Sequence, residues 1–348
     1  MDSLTAQRRS GESASRRTFL KGTGAVLGAL GTGGSAAAGG TDTDAGDGSE
    51  SERDTDEVDG SNDPLTIAHR GFAGPYPENT IAAMHGAAAA GADAIEIDLM
   101  PCADGTPVVF HDVELSSRTD GGLTDESGVT WEIDCETILG AEVLESGESI
   151  PTFEEVMEAI PSEVGVTLEM KNPGTSDIRP NENLSDDALE TQRELWRPFT
   201  ERVLDIADGY DNDVMVAASR EGAIAAAKEV APDMPTAFFF SDSIEVGLDI
   251  ARTYDCEALW PPINMVKRSP FWESPDYFVE EPDFEEVDLV EIAHEEGRQI
   301  FVFTLNTGHE ADQMRMADVD GILSNYPGLY GFGRVESEYD GSAFGFNR

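Results

Sequence analysis

The chain has 348 residues and carries 70 Asp and Glu against 22 Lys and Arg, a formal net charge of −48. So negative a chain repels nucleic acid and anionic membrane surfaces, and neither is an expected partner. The acidic residues run through apolar, strand-like segments, so the composition is not that of a disordered tail. It reads as an adaptation to high salt, where repulsion is screened within roughly 3 Å at about 1 M; a cationic binding partner is the alternative.

In chain order, the N-terminus reads first as a targeting segment. Ser15-Arg16-Arg17-Thr18-Phe19-Leu20-Lys21 resembles a twin-arginine export signal. A Gly/Ala-rich stretch from Gly22 to Ala38 follows, too short and too rich in glycine for a transmembrane helix. Ala36-Ala37-Ala38 offers a small-residue cleavage site. Residues 1–38 are therefore read as a signal peptide handled by the twin-arginine export machinery, and 39–63 as an acidic disordered linker. Residues 64–348 are read as one folded domain. The expected location is extracellular or at the cell surface, with no stable membrane insertion. Cys102, Cys135 and Cys256 are sparse and odd in number, which argues against a disulfide framework and leaves at least one thiol free.

From Leu65 the chain alternates strand and helix patterns. Strands are predicted at Leu65–His69, Ala94–Leu99, Gly165–Lys171, Val214–Ser219, Thr236–Phe240, Glu257–Trp260, Gln299–Thr304 and Asp320–Ser324. Helices are predicted between them at Asn79–Ala90, Phe153–Ile160, Leu189–Ala207, Glu221–Glu229, Ser243–Thr253, Phe284–Glu296 and His309–Ala317. Pro107–His111 is an extra strand-like run, expected on the upper rim. Eight strands alternating with helices predict an α/β fold, a single TIM (β/α)8 barrel. A doubly wound sheet is the runner-up, but no GxGxxG follows the first strand.

Charge interrupts these apolar strands at particular places. Glu96 and Asp98 are two apart in Ile95-Glu96-Ile97-Asp98-Leu99, so they share one face, which suits a hard cation with oxygen ligands. His69 and His111, two of the five histidines, fall where a strand gives way to a loop and supply a candidate general base and general acid. Glu169 and Lys171 repeat the pattern on the third barrel strand. Barrel sites lie at the C-terminal strand ends, so these groups are expected to converge there, in preference to a plain Glu169–Lys171 salt bridge. His85, His294 and His309 receive no role.

His69-Arg70-Gly71, Pro77-Glu78-Asn79-Thr80, Glu96-Ile97-Asp98-Leu99, Val108-Val109-Phe110-His111-Asp112, Ile150-Pro151-Thr152-Phe153, Leu168-Glu169-Met170-Lys171, Phe303-Thr304-Leu305-Asn306 and Asp320-Gly321-Ile322-Leu323-Ser324-Asn325-Tyr326-Pro327 run in one order along the chain. Together they resemble the glycerophosphodiester phosphodiesterase family, and the chain is similar to a haloarchaeal-type exported member. The resemblance implies a TIM barrel that hydrolyses a glycerophosphodiester to an alcohol and sn-glycerol 3-phosphate with one divalent cation, Ca²⁺ or Mg²⁺. It assigns the metal to Glu96, Asp98 and Glu169, acid–base catalysis to His69 and His111, phosphate binding to Arg70 and Lys171, and an orienting role to Glu78. Two positions depart from the family pattern: the usual Trp-Thr is Phe303-Thr304, and the usual acidic residue after the eighth strand is Asn325. No large insertion of the kind some exported members carry follows His111.

Two other functions fit the same barrel. One is a phospholipase D-like or phosphoinositide-type lipid phosphodiesterase, which the acidity disfavours; the other is a non-catalytic binding protein, which would lack a histidine or a ligand. The loop from Pro261 to Asp283 holds Asn264, Lys267, Arg268, Phe271, Trp272, Tyr277 and Phe278. It is expected either to overhang the mouth and cover a head group or to pack against the barrel.

Overall fold

The computed structural model describes residues 63–116, 123–179, 183–274 and 286–330. The targeting segment and nearly all of the linker, Tyr277 and Phe278 of the long loop, and Phe284 lie outside the described residues.

Nine strands are present: β1 Leu65–His69, β2 Ala94–Pro101, β3 Pro107–Val109, β4 Gly165–Met170, β5 Val214–Ala218, β6 Thr236–Phe239, β7 Ala258–Trp260, β8 Gln299–Leu305 and β9 Gly321–Ser324. The helices are α1 Ile81–Ala89, α2 Cys135–Gly140, α3 Phe153–Ala159, α4 Asp186–Ala207, α5 Glu221–Val230, α6 Ile244–Thr253, α7 Leu289–Glu295 and α8 Gly308–Met316. Eight strands pair in parallel around a ring that closes through β1 on β2, giving the TIM barrel. β3 is the rim strand: it pairs antiparallel with the end of β2, Leu99 opposite Val109.

Two apolar layers form because alternate residues of a strand face opposite sides. The lumen is filled by Ile67, Met215, Phe239, Trp260, Phe301 and Leu323. The outward residues, among them Ile95, Ile97, Val166, Leu168, Val216 and Leu259, pack with Trp196, Phe199, Ile224 and Leu248 of the surrounding helices. Glu96 and Asp98 lie inward between these alternating isoleucines, which is why the strand tolerates them only at its mouth end. Helix starts follow local chemistry: Thr152 and Glu155 close a reciprocal capping box on α3, as do Thr307 and Glu310 on α8.

Between β3 and α3 the chain builds a cap with its own core of Met100, Val108, Phe110, Leu115, Leu123, Ile138, Val143 and Ile150. The strand–helix alternation gave no sign of this layer, because its described pieces are a 3-10 turn at Thr130–Glu132, the short α2 and single bridges such as Thr124–Val143 and Glu142–Ser149.

Cysteine usage needs correcting here. Cys102 and Cys135 form a disulfide, with Cα atoms 5.4 Å apart, while Cys256 is free and buried. Sparse spacing misled because the two positions, 33 apart in sequence, are brought together where the cap returns α2 to the end of β2. Closing a loop of that length constrains the unfolded chain by about 3–4 kcal/mol in the chain-entropy account. Cys102→Ser with Cys135→Ser should therefore lower the melting temperature by several degrees, as should a reductant on the wild type. A wild-type melting curve indifferent to reductant would show that the sulfurs are not joined.

Candidate active site

Parallel register brings the predicted groups together. His69 pairs across β1–β2 with Glu96, and Asp98 pairs across β2–β4 with Glu169. Glu96 and Asp98 are fully buried, and ligand oxygens of Glu96, Asp98 and Glu169 all lie within 4.8 Å of one another. Glu96 Oε1 and Asp98 Oδ1 have no hydrogen-bond partner. Buried carboxylate oxygens without a hydrogen bond are costly unless a cation completes them, so the site fits a hard divalent cation with oxygen ligands.

Cations and amides set the charges of the trio. Arg70 Nε lies 3.2 Å from Asp98 Oδ2, and Arg70 Nη1 donates to Glu78 Oε1 at 2.9 Å. Lys171 Nζ donates to Glu169 Oε1 at 2.8 Å and stands 3.6 Å from Asp98 Oδ1. The Glu169–Lys171 pair, ranked below convergence on the mouth, is thus formed, and both groups also face the mouth. Burial works against charge on Asp98, but His111, Arg70, Lys171 and a hydrogen bond from Asn79 outweigh it and hold this carboxyl well below its usual range. Glu96 is pushed well above its usual range by burial and by the charges of Asp98 and Glu169. Asp98 is thereby held ionised, while the surroundings of Glu96 disfavour its charge.

The turn after β1 is strained for a purpose. Arg70, Gly71 and Phe72 have φ of 52°, 77° and 65°. Only glycine enters this region freely, and each of the others costs about 1–3 kcal/mol. The turn aims the Arg70 N–H at Glu96 Oε2, 3.0 Å away, and buries Phe72. Gly71 is doubly required, since a Cβ there would stand 2.7 Å from the Ala83 Cβ.

The two histidines have different supports. His69 Nδ1 is 2.6 Å from Asn325 Oδ1. Asn325 Nδ2 donates to Asn306 Oδ1 at 2.7 Å, and Asn306 Nδ2 donates to Thr304 O. That chain fixes each amide's orientation, so His69 Nδ1 carries the proton and Nε2 presents a lone pair. Burial, then the charge of Arg70, pushes His69 down to about 3. His111 Nδ1 instead meets a carboxylate, Asp112 Oδ1, at 2.5 Å. Thr130 Oγ1 donates to the carbonyls of Asp112 and Val113, so the cap holds this segment.

Sequence reading gave no role to Asn79. Its Nδ2 donates to Asp98 Oδ2 at 2.8 Å, from a buried position with φ of 59°. The signal was available in Pro77-Glu78-Asn79-Thr80, where a polar run precedes a helix without exposure. The described part of the long loop packs on the barrel: Asn264 Nδ2 donates to Ser274 O, Lys267 to Glu286 O, and Phe271 and Trp272 lie against the core.

The model of the glycerophosphoryl diester phosphodiesterase family matches residues 69–329. The glycerophosphodiester phosphodiesterase of Caldanaerobacter subterraneus subsp. tengcongensis is 29% identical over 269 residues, covering 76% of this chain and 94% of that protein. The enzyme of the same name from Bacillus altitudinis is 25% identical, with 75% and 94% covered. Among solved structures, an Oleispira antarctica phosphodiesterase in complex with the product sn-glycerol-3-phosphate superposes with a TM-score of 0.59 at 24% identity, covering 76% and 94% of the two chains.

A carboxyl whose folded pKa is raised contributes stability that is fully present below its unfolded value and lost as pH rises through the folded one. Glu96 is in that position. Glu96→Gln should therefore raise the melting temperature in chelator at neutral pH. It should also weaken binding of a divalent cation by more than about tenfold, the scale reached even by outer-shell changes. Calorimetry with and without the cation checks both, and equal cation-induced stabilisation of the two proteins would remove Glu96 from the ligand set.

Proposed function

The chain belongs to the glycerophosphoryl diester phosphodiesterase family and is by class a glycerophosphodiester phosphodiesterase; we propose that it works with one divalent cation, Ca²⁺ or Mg²⁺, and with His69 and His111 as base and acid. The observation that carries the role assignment is the unequal backing of the two imidazoles, an amide behind His69 and a carboxylate behind His111. The Asn325 amide oxygen favours imidazolium only weakly, and burial with the charge of Arg70 outweighs it, so His69 stays the acceptor. The Asp112 carboxylate behind Nδ1 fixes the His111 ring with its Nε2 free, and His111 is assigned the part of the acid.

Glu96, Asp98 and Glu169 would hold the cation, which when bound offsets charge developing on the phosphoryl oxygens. Arg70 and Lys171 turn positive groups to the substrate phosphate, and Glu78 orients Arg70. His69 Nε2 takes the proton of the attacking hydroxyl, either water or the neighbouring glycerol hydroxyl; in the second case a cyclic phosphate forms first and water then opens it. His111 gives its Nε2 proton to the departing alkoxide. The products are an alcohol and sn-glycerol 3-phosphate, the latter being the product named in the Oleispira antarctica complex.

The exported, haloarchaeal-type character belongs to the same proposal. It is supported by Arg16-Arg17 with its apolar stretch, by the charge of −48, and by a disulfide suited to an oxidising compartment. The proposed division is 1–38 signal, 39–63 linker and 64–348 catalytic domain. No described helix is long and apolar enough to cross a membrane.

Each histidine should contribute about 10² to 10⁴ in rate, and the two losses should not add. His111→Ala should be partly rescued by a nitrophenyl diester, whose leaving group needs no proton, and His69→Ala should not. Equal response of both variants to leaving-group pKa would overturn the roles. Arg16→Lys with Arg17→Lys should retain the protein inside the cell, and undiminished secretion would refute the signal. The melting temperature should rise from low to multimolar KCl as repulsion is screened; a flat profile would count against salt adaptation.

A further inference from the structure

We propose that Arg220 reads the alcohol half of the substrate and favours glycerophosphodiesters whose alcohol carries a second negative charge, a carboxylate or a phosphate. The inference rests on the phosphodiesterase reading above.

Arg220 stands two residues beyond the end of β5 and opens α5. Ala217 pairs with Glu169, so the residues that follow it rise on the rim beside the proposed cation site. The guanidinium is half-buried, yet its Nη1 donates only to the carbonyl and hydroxyl of Ser219, its neighbour in the chain, both at 3.2 Å. Among the described residues it has no ion pair, whereas Arg70 holds Asp98 and Glu78, and Lys171 holds Glu169 and Asp98. The acidic groups that act on it are Glu169 and Asp242, from the ends of the two strands flanking β5. With 70 acidic residues for 22 basic ones, an arginine fork left without a carboxylate at the barrel mouth is unexpected. A planar fork matches a carboxylate or phosphate in two parallel hydrogen bonds.

Position separates this anion from the scissile phosphate. Around the ring, β1 and β9 carry His69 and Asn325, and β5 lies on the far side beyond β2 and β4. Attack from the His69 side sends the leaving oxygen away from β1, towards that far side. A cationic alcohol would need open aromatic faces. Trp260 is fully buried and Phe239 nearly so, which leaves only the partly exposed Phe303 ring among these three.

The test compares two glycerol phosphodiesters of equal length, one of 3-hydroxypropanoate and one of propan-1-ol, at fixed KCl and saturating Mg²⁺ or Ca²⁺. Wild type should show a higher kcat/KM for the carboxylate diester. Arg220→Met should lower the ratio of carboxylate to neutral kcat/KM by about tenfold or more, the effect of roughly 1.4 kcal/mol. Arg220→Lys, which keeps charge but loses the fork, should lower it less, and it serves where the Met variant fails to fold. An unchanged ratio overturns the proposal, as does an equal fall for both diesters, which would assign Arg220 to the scissile phosphate or to structure. If wild type cleaves neither diester, the phosphodiesterase reading itself has failed and the proposal fails with it.

Discussion

Parallel pairing of β2 with β4 sets Asp98 directly beside Glu169, with Glu96 one pleat below on the same inward face, and this forced approach of three carboxylates governs the rest of the site. Like charges at such range cannot all ionise without compensation. The surroundings are arranged around that problem. Arg70 and Lys171 lean on Asp98, Asn79 donates to it, and the Arg70 backbone N–H is spent on Glu96. The strained turn from Arg70 to Phe72 exists because no relaxed backbone would deliver both that N–H and the guanidinium to adjacent carboxylates.

The barrel mouth divides along the same line. Strands β1, β2 and β4 present titratable groups, while β6, β7 and β8 present Phe239, Trp260 and Phe303 in mutual contact, with ring centroids 4.4 Å and 5.2 Å apart. The apolar half fills the lumen and gives the polar half a rigid, low-dielectric wall, which strengthens every interaction of the buried charges. The cap completes the enclosure from above, and through Thr130 it supports the His111–Asp112 segment.

Most of the barrel was legible because buried strands have a plain signature. Ile95, Ile97 and Leu99 alternating with Glu96 and Asp98 announced both a strand and the face it turns to the mouth. Strand starts agreed to within a residue, since Asp63, Asp93, Asp213 and Pro235 punctuate the runs. The cap was illegible for the opposite reason: isolated bridges and helical pieces of three and six residues carry no period. Its disulfide was hidden by the same fact, because proximity of Cys102 and Cys135 depends on a fold that no local pattern encodes. Asn79 and Arg220 were missed because their roles lie in what they face. Nothing in a helix-capping run or at a helix start shows that one side chain is aimed at a buried carboxylate and the other is left without one.

Asn325 shows how a departure from a family pattern can be informative. An acidic residue beside His69 would favour the imidazolium and weaken it in the proposed role of proton acceptor. The amide accepts from Nδ1 just as well, and its own NH₂ is anchored on Asn306, so the ring keeps its orientation and tautomer without gaining charge. In a chain so negative this substitution has a second effect. It removes one more carboxylate from a mouth that already concentrates Glu96, Asp98 and Glu169, and so lowers the repulsion that an incoming phosphodiester anion must meet. The same reasoning explains where the scarce cations stand. Lysine occurs only four times in the chain, yet one of the four is Lys171 at the site, and Arg70 and Arg220 share the mouth with it. The rest of the surface does almost without lysine, but a site that must draw in an anion cannot do without positive charge.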